Sequence, residues 1–547
     1  MLRKGYLGFM RGSACCTVSF VVAVVVGLSS LATAQPSLDW ARFTKGQSSQ
    51  TLHGVATDNA GNVYTVGGFD GRTSFGGGGG QIFVEPYANV FIQKCNSNGA
   101  AIWVRDIHSD SSLKIKGVAV DAFGNTYVTG YFHGTCDFDP GEGTAEYTTP
   151  VLSFEVYVLK LNSAGEFEWA RIVESSGSIP GSTFANDLAL DGSGNVFVVG
   201  IFSADVDLDP GPGVDLHSSA GNNDGFLVKL DSSGNYQWGT VIGGPSADGE
   251  ISVAIEPNGN VVTFGGFQGD LDFDPGPGTS ILSSDGNSDG FVRKLDTNGN
   301  LIWAKLIRST HLLGRSVAVD RAGNVYAAGF VAGGYPADFD PGPGTFILTG
   351  PDDPDRSIFT FKLDASGNFA WAHLIEGALL SSQLHTMGIA VDRLGNVYYT
   401  ASFYETADLD PGPGTYEFSS DGDRDAFVQK LDTAGKMEWT YVVTGPGVSE
   451  ANAITFDRTS NEIIVGGQFR GWAKFADGPL LVEELSAGVE DAFTLKLSQP
   501  FSLPPLPPGV PVGNDGWLIV GAILMAVVGV GFLLRQRMRC HSAKSDV

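Results

Sequence analysis

LIWAKLIRSTHLLGRSVAVDRAGNVYAAGFVAGGYPADFDPGPGTFILTGPDDPDRSIFTFKLDASGNFAW, from Leu301 to Trp371, holds one complete unit and the opening of the next. LIWAKLI is an apolar-rich strand, and SVAVD is a short apolar run that predicts an inner strand. The turn Asp320-Arg321-Ala322-Gly323 leads into a third strand, NVYAAGF. A longer loop, ADFDPGPGTFILTG, precedes the last strand, IFTFKLD. Asp364-Ala365-Ser366-Gly367 then turns back to the next tryptophan strand. β-branched and aromatic residues fill these runs, and Gly, Pro and Asp bound them. In each D-x-x-G turn the Asp side chain caps the turn and Gly supplies a positive φ.

The unit repeats along the chain. Trp40, Trp103, Trp169, Trp238, Trp303, Trp371 and Trp439 are spaced 63, 66, 69, 65, 68 and 68 apart. Lys94, Lys160, Lys229, Lys294, Lys362, Lys430 and Lys496 recur in phase, as do the turn acids Asp58, Asp121, Asp191, Glu256, Asp320, Asp392 and Asp457. Four strands per unit and seven units predict an all-β, seven-bladed β-propeller of four-stranded antiparallel blades. A β-solenoid is the alternative, but its coils repeat at shorter periods. The chain starts with a lone tryptophan strand, Leu38 to Phe43, and ends its repeats with a lysine strand, Ala492 to Leu497. The first strand can therefore complete the last blade and close the ring. The tryptophans, and the aromatics three residues before each lysine (Phe91, Tyr157, Phe226, Phe291, Phe359, Phe427, Phe493), are expected to pack between blades.

GNVYTVGGF at 61–69, GNVYAAGF at 323–330, the D-[GA]-F-x-x-K-L-D strands at 289–296 and 425–432, and the LIWAK-type strand resemble the bacterial seven-bladed propeller repeat called SBBP. The resemblance covers Leu38 to Leu497. It implies a propeller on an exported or surface protein and no shared reaction. Blade 1 departs most, with Gly76 to Gly80 in its loop; blade 7 has GWAKFADGP where the acidic loop is expected.

Both ends read as address. Residues 1–34 have the form of a signal peptide: basic Arg3, Lys4 and Arg11, an apolar run Val18 to Leu28, and the A-x-A site Ala32-Thr33-Ala34. An uncleaved anchor is the alternative. Residues 35–498 are the propeller, and 499–516 a Pro-rich, extended stalk. Residues 517–534 carry no charge and are long enough for a transmembrane helix. Residues 535–547, with Arg535, Arg537, Arg539 and Lys544, make a basic cytoplasmic tail. Stalk, span and arginine cluster resemble bacterial C-terminal sorting signals, although LPxTG and PEP motifs are absent. The expected place is extracytoplasmic and membrane-anchored, at a cell surface or in a periplasm.

The chain of 547 residues carries a formal charge of −27. Without the leader's three basic residues and the tail's net three, the exported part carries −33. Such a surface repels nucleic acid and suits cations, basic partners or polar sugars. Five cysteines with no CxxC pair exclude a disulfide scaffold and the usual zinc modules. Pairing of Cys95 with Cys136 is open, with two free thiols favoured.

The pointed motif is D-x-D-P-G-x-G in the long loop. It pairs Asp137 with Asp139, Asp207 with Asp209, Asp272 with Asp274, Asp338 with Asp340, and Asp408 with Asp410. Strand alternation puts each pair on one side and Phe138, Leu208, Phe273, Phe339 or Leu409 on the other. One reading is a tight turn. The other is Ca²⁺, a hard ion that wants several oxygens, with Asp224, Asp289, Asp425 or Glu155 as further ligands. No cofactor is otherwise indicated. His53, His311 and His385 fall in inter-blade segments and read as surface polar residues. No nucleophile elbow, zincin or P-loop motif is present. Two functions stand: a non-enzymatic module for a protein or polysaccharide partner, and an enzyme (a lyase or glycoside hydrolase) working at the channel mouth. An enzyme should gather unlike side chains at one rim site, and a scaffold should be near-sevenfold there.

Overall fold

The computed structural model describes residues 35–499 except 77–88, 151–152, 177–180, 287, 352–355, 380–386, 458 and 477–481. The leader 1–34, the span 517–534, the tail 535–547 and all of the stalk but Gln499 lie outside the described residues. Among the described residues no helix is long and apolar enough to cross a membrane.

Blade 2 gives the pattern: Ser112–Val120, Thr126–His133, Glu155–Leu161 and Phe167–Ser176, antiparallel in that order from the innermost strand outward. Its third strand is buried at every residue, because neighbouring blades cover both faces. That is why the middle strands read as continuous apolar runs, while the inner strand alternates.

Each innermost strand touches the next around the ring, and Gln50–Thr57 meets Val448–Phe456. The ring closes as the phase of the repeat predicts. Ser37–Gly46 joins Asp491–Ser498 as the outermost strand of blade 7, with Trp40 opposite Lys496. The same pairing recurs in every blade: Trp103 with Lys94, Trp169 with Lys160, Trp238 with Lys229, Trp303 with Lys294, Trp371 with Lys362 and Trp439 with Lys430.

These pairs reach across to the following blade. The Trp303 indole N–H and Lys294 Nζ both donate to the Ala365 carbonyl, at 3.3 and 3.1 Å. Trp40 Nε1 donates to Ser97 O at 3.0 Å, tying the first strand to blade 1. The lysines also meet the turn acids of their own blades: Lys496 lies 3.0 Å from Asp457, and Lys294 pairs with Glu256. In the turns, Asp320 Oδ1 accepts the backbone N–H groups of Ala322 and Asn324, and Gly323 sits at φ 81°.

The long loop differs from the sequence expectation. It is a short hairpin that clasps the preceding blade, where the sequence reads as a longer loop before the last strand of its own blade. Thr135–Asp137 pairs with Glu146–Thr148 and adds to the outer strand of blade 1, His108 opposite Asp137. Asp205–Asp207 does the same on blade 2. Even the two departing copies comply: Thr73–Phe75 pairs with Thr44–Gly46, and Lys474 bridges to Thr444. The physical reason is the exposed edge of each outer strand, which the hairpin covers. The inward residue of the hairpin packs on the blade's aromatic: Phe273 on Phe291 at 4.9 Å, Phe138 on Tyr157 at 5.0 Å.

Candidate functional site: the central channel

Six of the innermost strands slip by one residue against their neighbour. The extra residue is His53, Lys116, Asn186, Ile251, Arg315 or Asn452. A bulge re-aims a side chain, and here all six, with Met387 of blade 6, line the axial channel. The bulge pushes the inner-strand carbonyl toward the second strand, which answers with glycine. A Cβ on Gly130 would lie 1.9 Å from Lys114 O, and one on Gly67 1.9 Å from Thr51 O. Blade 6, whose described inner strand is only Ile389–Val391, carries Ala401 at this position.

The second ring position is small or short (Gly54, Gly117, Asp187, Ser252, Ser316, Gly388, Ala453). The third is always Val, Leu or Ile and seals one blade against the next. The first position is free to vary, so the channel has no sevenfold symmetry. It holds about 300 Å³ and is lined mainly by polar atoms.

Basic groups dominate the ring. Burial and the charges of Lys116 and Lys114 push His53 down to about 4. Its Nε2 lies 3.2 Å from Thr51 Oγ1. Lys116 is lowered by burial, Lys114 and Arg315. Arg315 is lowered to about 10 by burial and by Arg356. Lys116 Nζ sits 5.7 Å from the Tyr131 ring, and Arg315 5.8 Å from Phe330. Asp187, the carboxylate of the lining, is raised to about 6 by burial, against hydrogen bonds from Ser252 Oγ and the Val253 and Leu188 N–H groups. Asn186 Nδ2 donates to Glu250 O and Asn452 Nδ2 to Leu52 O, linking adjacent blades.

The sequence-predicted acidic pairs lie elsewhere, on the outer hairpins, and form five copies of one turn. The first member of each pair, Asp137, Asp207, Asp272, Asp338 or Asp408, accepts two backbone N–H groups on Oδ1. For Asp137 these come from Asp139 and Ala145, and the other four repeat the bonds. The second member is also a turn acceptor. Asp139 Oδ1 takes the N–H of Gly141, Asp209 that of Gly211, and Asp274 that of Gly276. Asp340 takes the N–H of Gly342, and Asp410 that of Gly412. Asp139, Asp209, Asp274, Asp340 and Asp410, which the sequence offers as metal ligands, thus each have a backbone partner on Oδ1 within their own turn. The reason is local: an Asx side chain two residues before a glycine N–H meets it at short range. Phe138, Leu208, Phe273, Phe339 and Leu409 are fully buried behind the pairs, as alternation requires. Asp224, Asp289 and Asp425 accept the N–H groups of Ala220, Asp285 and Asp421 in the loops before their strands, and Glu155 accepts that of Ser175 in the adjoining strand. Among the described residues no three His, Cys, Asp or Glu side chains gather around a metal-sized space.

His53, expected at the surface, lines the channel instead. The bulge that aims it there leaves no mark in a single strand. His311 packs against Tyr335, and His385 lies outside the described residues. Cys95 and Cys136 are both buried and unpaired, and burial pushes the Cys95 thiol up to about 12. Sequence reasoning missed Lys116 and Arg315. Their signal was a variable residue inserted before a recurring small–aliphatic pair, visible only when the seven inner strands are laid over one another.

A closed ring of seven four-stranded blades around an axial channel makes this chain a seven-bladed β-propeller. No family model matches it. It is 25% identical over 403 residues to the uncharacterized WD repeat-containing protein L264 of Acanthamoeba polyphaga mimivirus, covering 64% of this chain and 28% of that protein. The chain thus spans under a third of that relative. Among solved structures, the apocarotenoid oxygenase of Synechocystis is 10% identical with a TM-score of 0.35, covering 86% of this chain and 96% of that one. The NanB sialidase of Streptococcus pneumoniae is 10% identical with a TM-score of 0.32, covering 84% and 69%. Likenesses this low carry no chemistry to this chain.

Proposed function

We propose that the chain is an exported, membrane-anchored propeller of the SBBP kind that binds a protein or polysaccharide at the mouth of its channel without catalysing a reaction. The observation that carries this reading is the ring itself. Seven blades present unlike side chains to one space, which a purely structural ring has no need to do; this meets the mark set for an enzyme as well as for a binding site, and it is the commitment of Asp187 to the wall that favours binding. Among the described residues the lining holds one carboxylate beside its basic groups. Its carboxylate, Asp187, is spent on three donors from the channel wall. The signal-like leader, Pro-rich stalk, uncharged span and basic tail support the address.

Ca²⁺ belongs to this reading as a stabiliser of the outer hairpins. Each turn uses Oδ1 of both aspartates, and Oδ2 of both is left for a cation. Two carboxylates per loop fit a weak extracellular site, with a dissociation constant on the order of 10⁻³ M.

The test is retention of the soluble ectodomain on a polysaccharide and surface-protein panel, beside Ile251→Trp, which plugs the channel. Retention by wild type and loss in the plugged variant are expected. Equal retention by both removes the channel from the reading. Separately, Ala526→Arg should move the full chain from the membrane to the soluble fraction.

A further inference from the structure

We infer that the channel is a binding site for an oxyanion, a carboxylate or phosphate group on a small polar ligand, received by Arg315 and Lys116. This rests on the channel being the binding face and adds the chemical class of what enters.

Elsewhere in this acidic protein, buried cations are matched with carboxylates. Arg293 meets Glu250, Arg424 meets Glu450, Lys294 meets Glu256, and Lys496 meets Asp457. Arg315 and Lys116, half-buried in the channel wall, are not matched in this way. Among the described residues neither has a carboxylate partner, and Arg315 Nε and Nη2 are buried without any hydrogen bond. A buried donor left unmade costs free energy, and like charges facing one another add to it. The charges of Lys114 and Arg315 disfavour a proton on Lys116, that of Arg356 disfavours one on Arg315, and Asp187 is turned away to Ser252 and Val253. An oxyanion offsets the whole arrangement at once. The guanidinium fork suits carboxylate or phosphate geometry, and the lysine supplies a second charge.

The rest of the ring describes the remainder of the ligand. Asn186 and Asn452 have committed their amide nitrogens to backbone carbonyls, which leaves their carbonyl oxygens to accept from hydroxyl groups. Ile251 and Met387 give a small apolar wall. A space of about 300 Å³ is at the lower end for small-ligand pockets and matches a body of monosaccharide size. The outer surface, with 60 acidic against 33 basic residues in the chain, repels extended polyanions. The channel therefore suits a small or terminal anion.

Isothermal titration of the ectodomain tests this with D-galacturonate against neutral D-galactose, and inorganic phosphate against chloride at matched ionic strength. Saturable binding of galacturonate or phosphate, with none of galactose or chloride, is expected. Which of the two binds tells carboxylate from phosphate. Arg315→Gln and Lys116→Gln should each weaken binding at least about tenfold while still melting cooperatively. Two variants guard against one failing to fold. Absence of saturable binding by either oxyanion, or unchanged binding in both folded variants, overturns the inference. If polysaccharide or protein retention is still lost in Ile251→Trp, only the ligand class has failed. If oxyanions bind but no macromolecule is retained, the interaction-module reading fails and this site stands.

Discussion

Trp40 lies opposite Lys496, joining the first strand of the propeller to its last repeat in the register that every other blade makes within continuous chain. Deleting Leu38 to Phe43 should therefore expose the edge of Asp491–Ser498 and the hairpin that leans on Thr44–Gly46. We expect loss of cooperative melting or aggregation of the ectodomain. An unchanged melting temperature would count against ring closure.

That closure has a second consequence. Trp371 Nε1 donates to Thr433 O at 3.2 Å, and Trp303 to Ala365 O. The acceptor sits in the turn between the third and fourth strands of the next blade. Blade 7 has no such turn, because its fourth strand comes from the other end of the chain. Trp439, buried in blade 6, accordingly has no hydrogen-bond acceptor among the described residues. Trp303→Phe should cost about 1 kcal/mol more than Trp439→Phe, the worth of one hydrogen bond, in paired chemical-denaturation curves. Equal costs would show that the indole bonds do not hold the blades together.

The repeat was legible in the sequence because identical jobs leave identical residues. Trp303, Lys294 and Asp320 recur in phase since each blade must grip the next and cap the same turns. Closure could be read from the phase of the first and last strands. The channel site could not. A one-residue bulge decides that Lys116 and Arg315 face the axis, and a bulge depends on pairing with Thr126–His133 or Val325–Ala332 rather than on local composition. The long loops were misplaced for a similar reason. Asp137 and Phe138 were correctly assigned to opposite sides, but the partner of that short strand, His108, belongs to another blade.

The acidic hairpins give a separate test. Five aspartate pairs within an exported charge of −33 repel one another, and a cation held only by the folded state stabilises it, by about 2.7 kcal/mol at a hundredfold excess over its dissociation constant. Millimolar Ca²⁺ should raise the melting temperature more than NaCl of equal ionic strength. Asp272→Asn with Asp274→Asn should shrink that gain. Their amide oxygens can still accept the turn N–H groups of Asp274, Ser280 and Gly276. Superimposable curves in Ca²⁺ and EDTA at matched ionic strength would leave the motif as a turn alone.

His53 makes the channel sensitive to acid. Its folded value, about 4, lies below the unfolded 6.5 because burial, Lys116 and Lys114 oppose a proton. The unfolded chain therefore binds the proton first. Stability is full above 6.5 and is lost as pH falls toward 4, by on the order of 1–2 kcal/mol once water in the open channel is allowed for. Asp187 and Asp425, raised to about 6 by burial, act in the opposite sense, so wild type alone does not isolate the effect. His53→Gln, which keeps a partner for Thr51 Oγ1, leaves both aspartates in place. The stability difference between wild type and His53→Gln, followed by denaturation across this range, should shift against wild type as pH falls. An oxyanion beside Lys116 and Arg315 would lower the local positive potential and move the midpoint of that shift upward. A difference that stays flat with pH would mean that His53 is solvated like a surface histidine and does not feel the channel's charge.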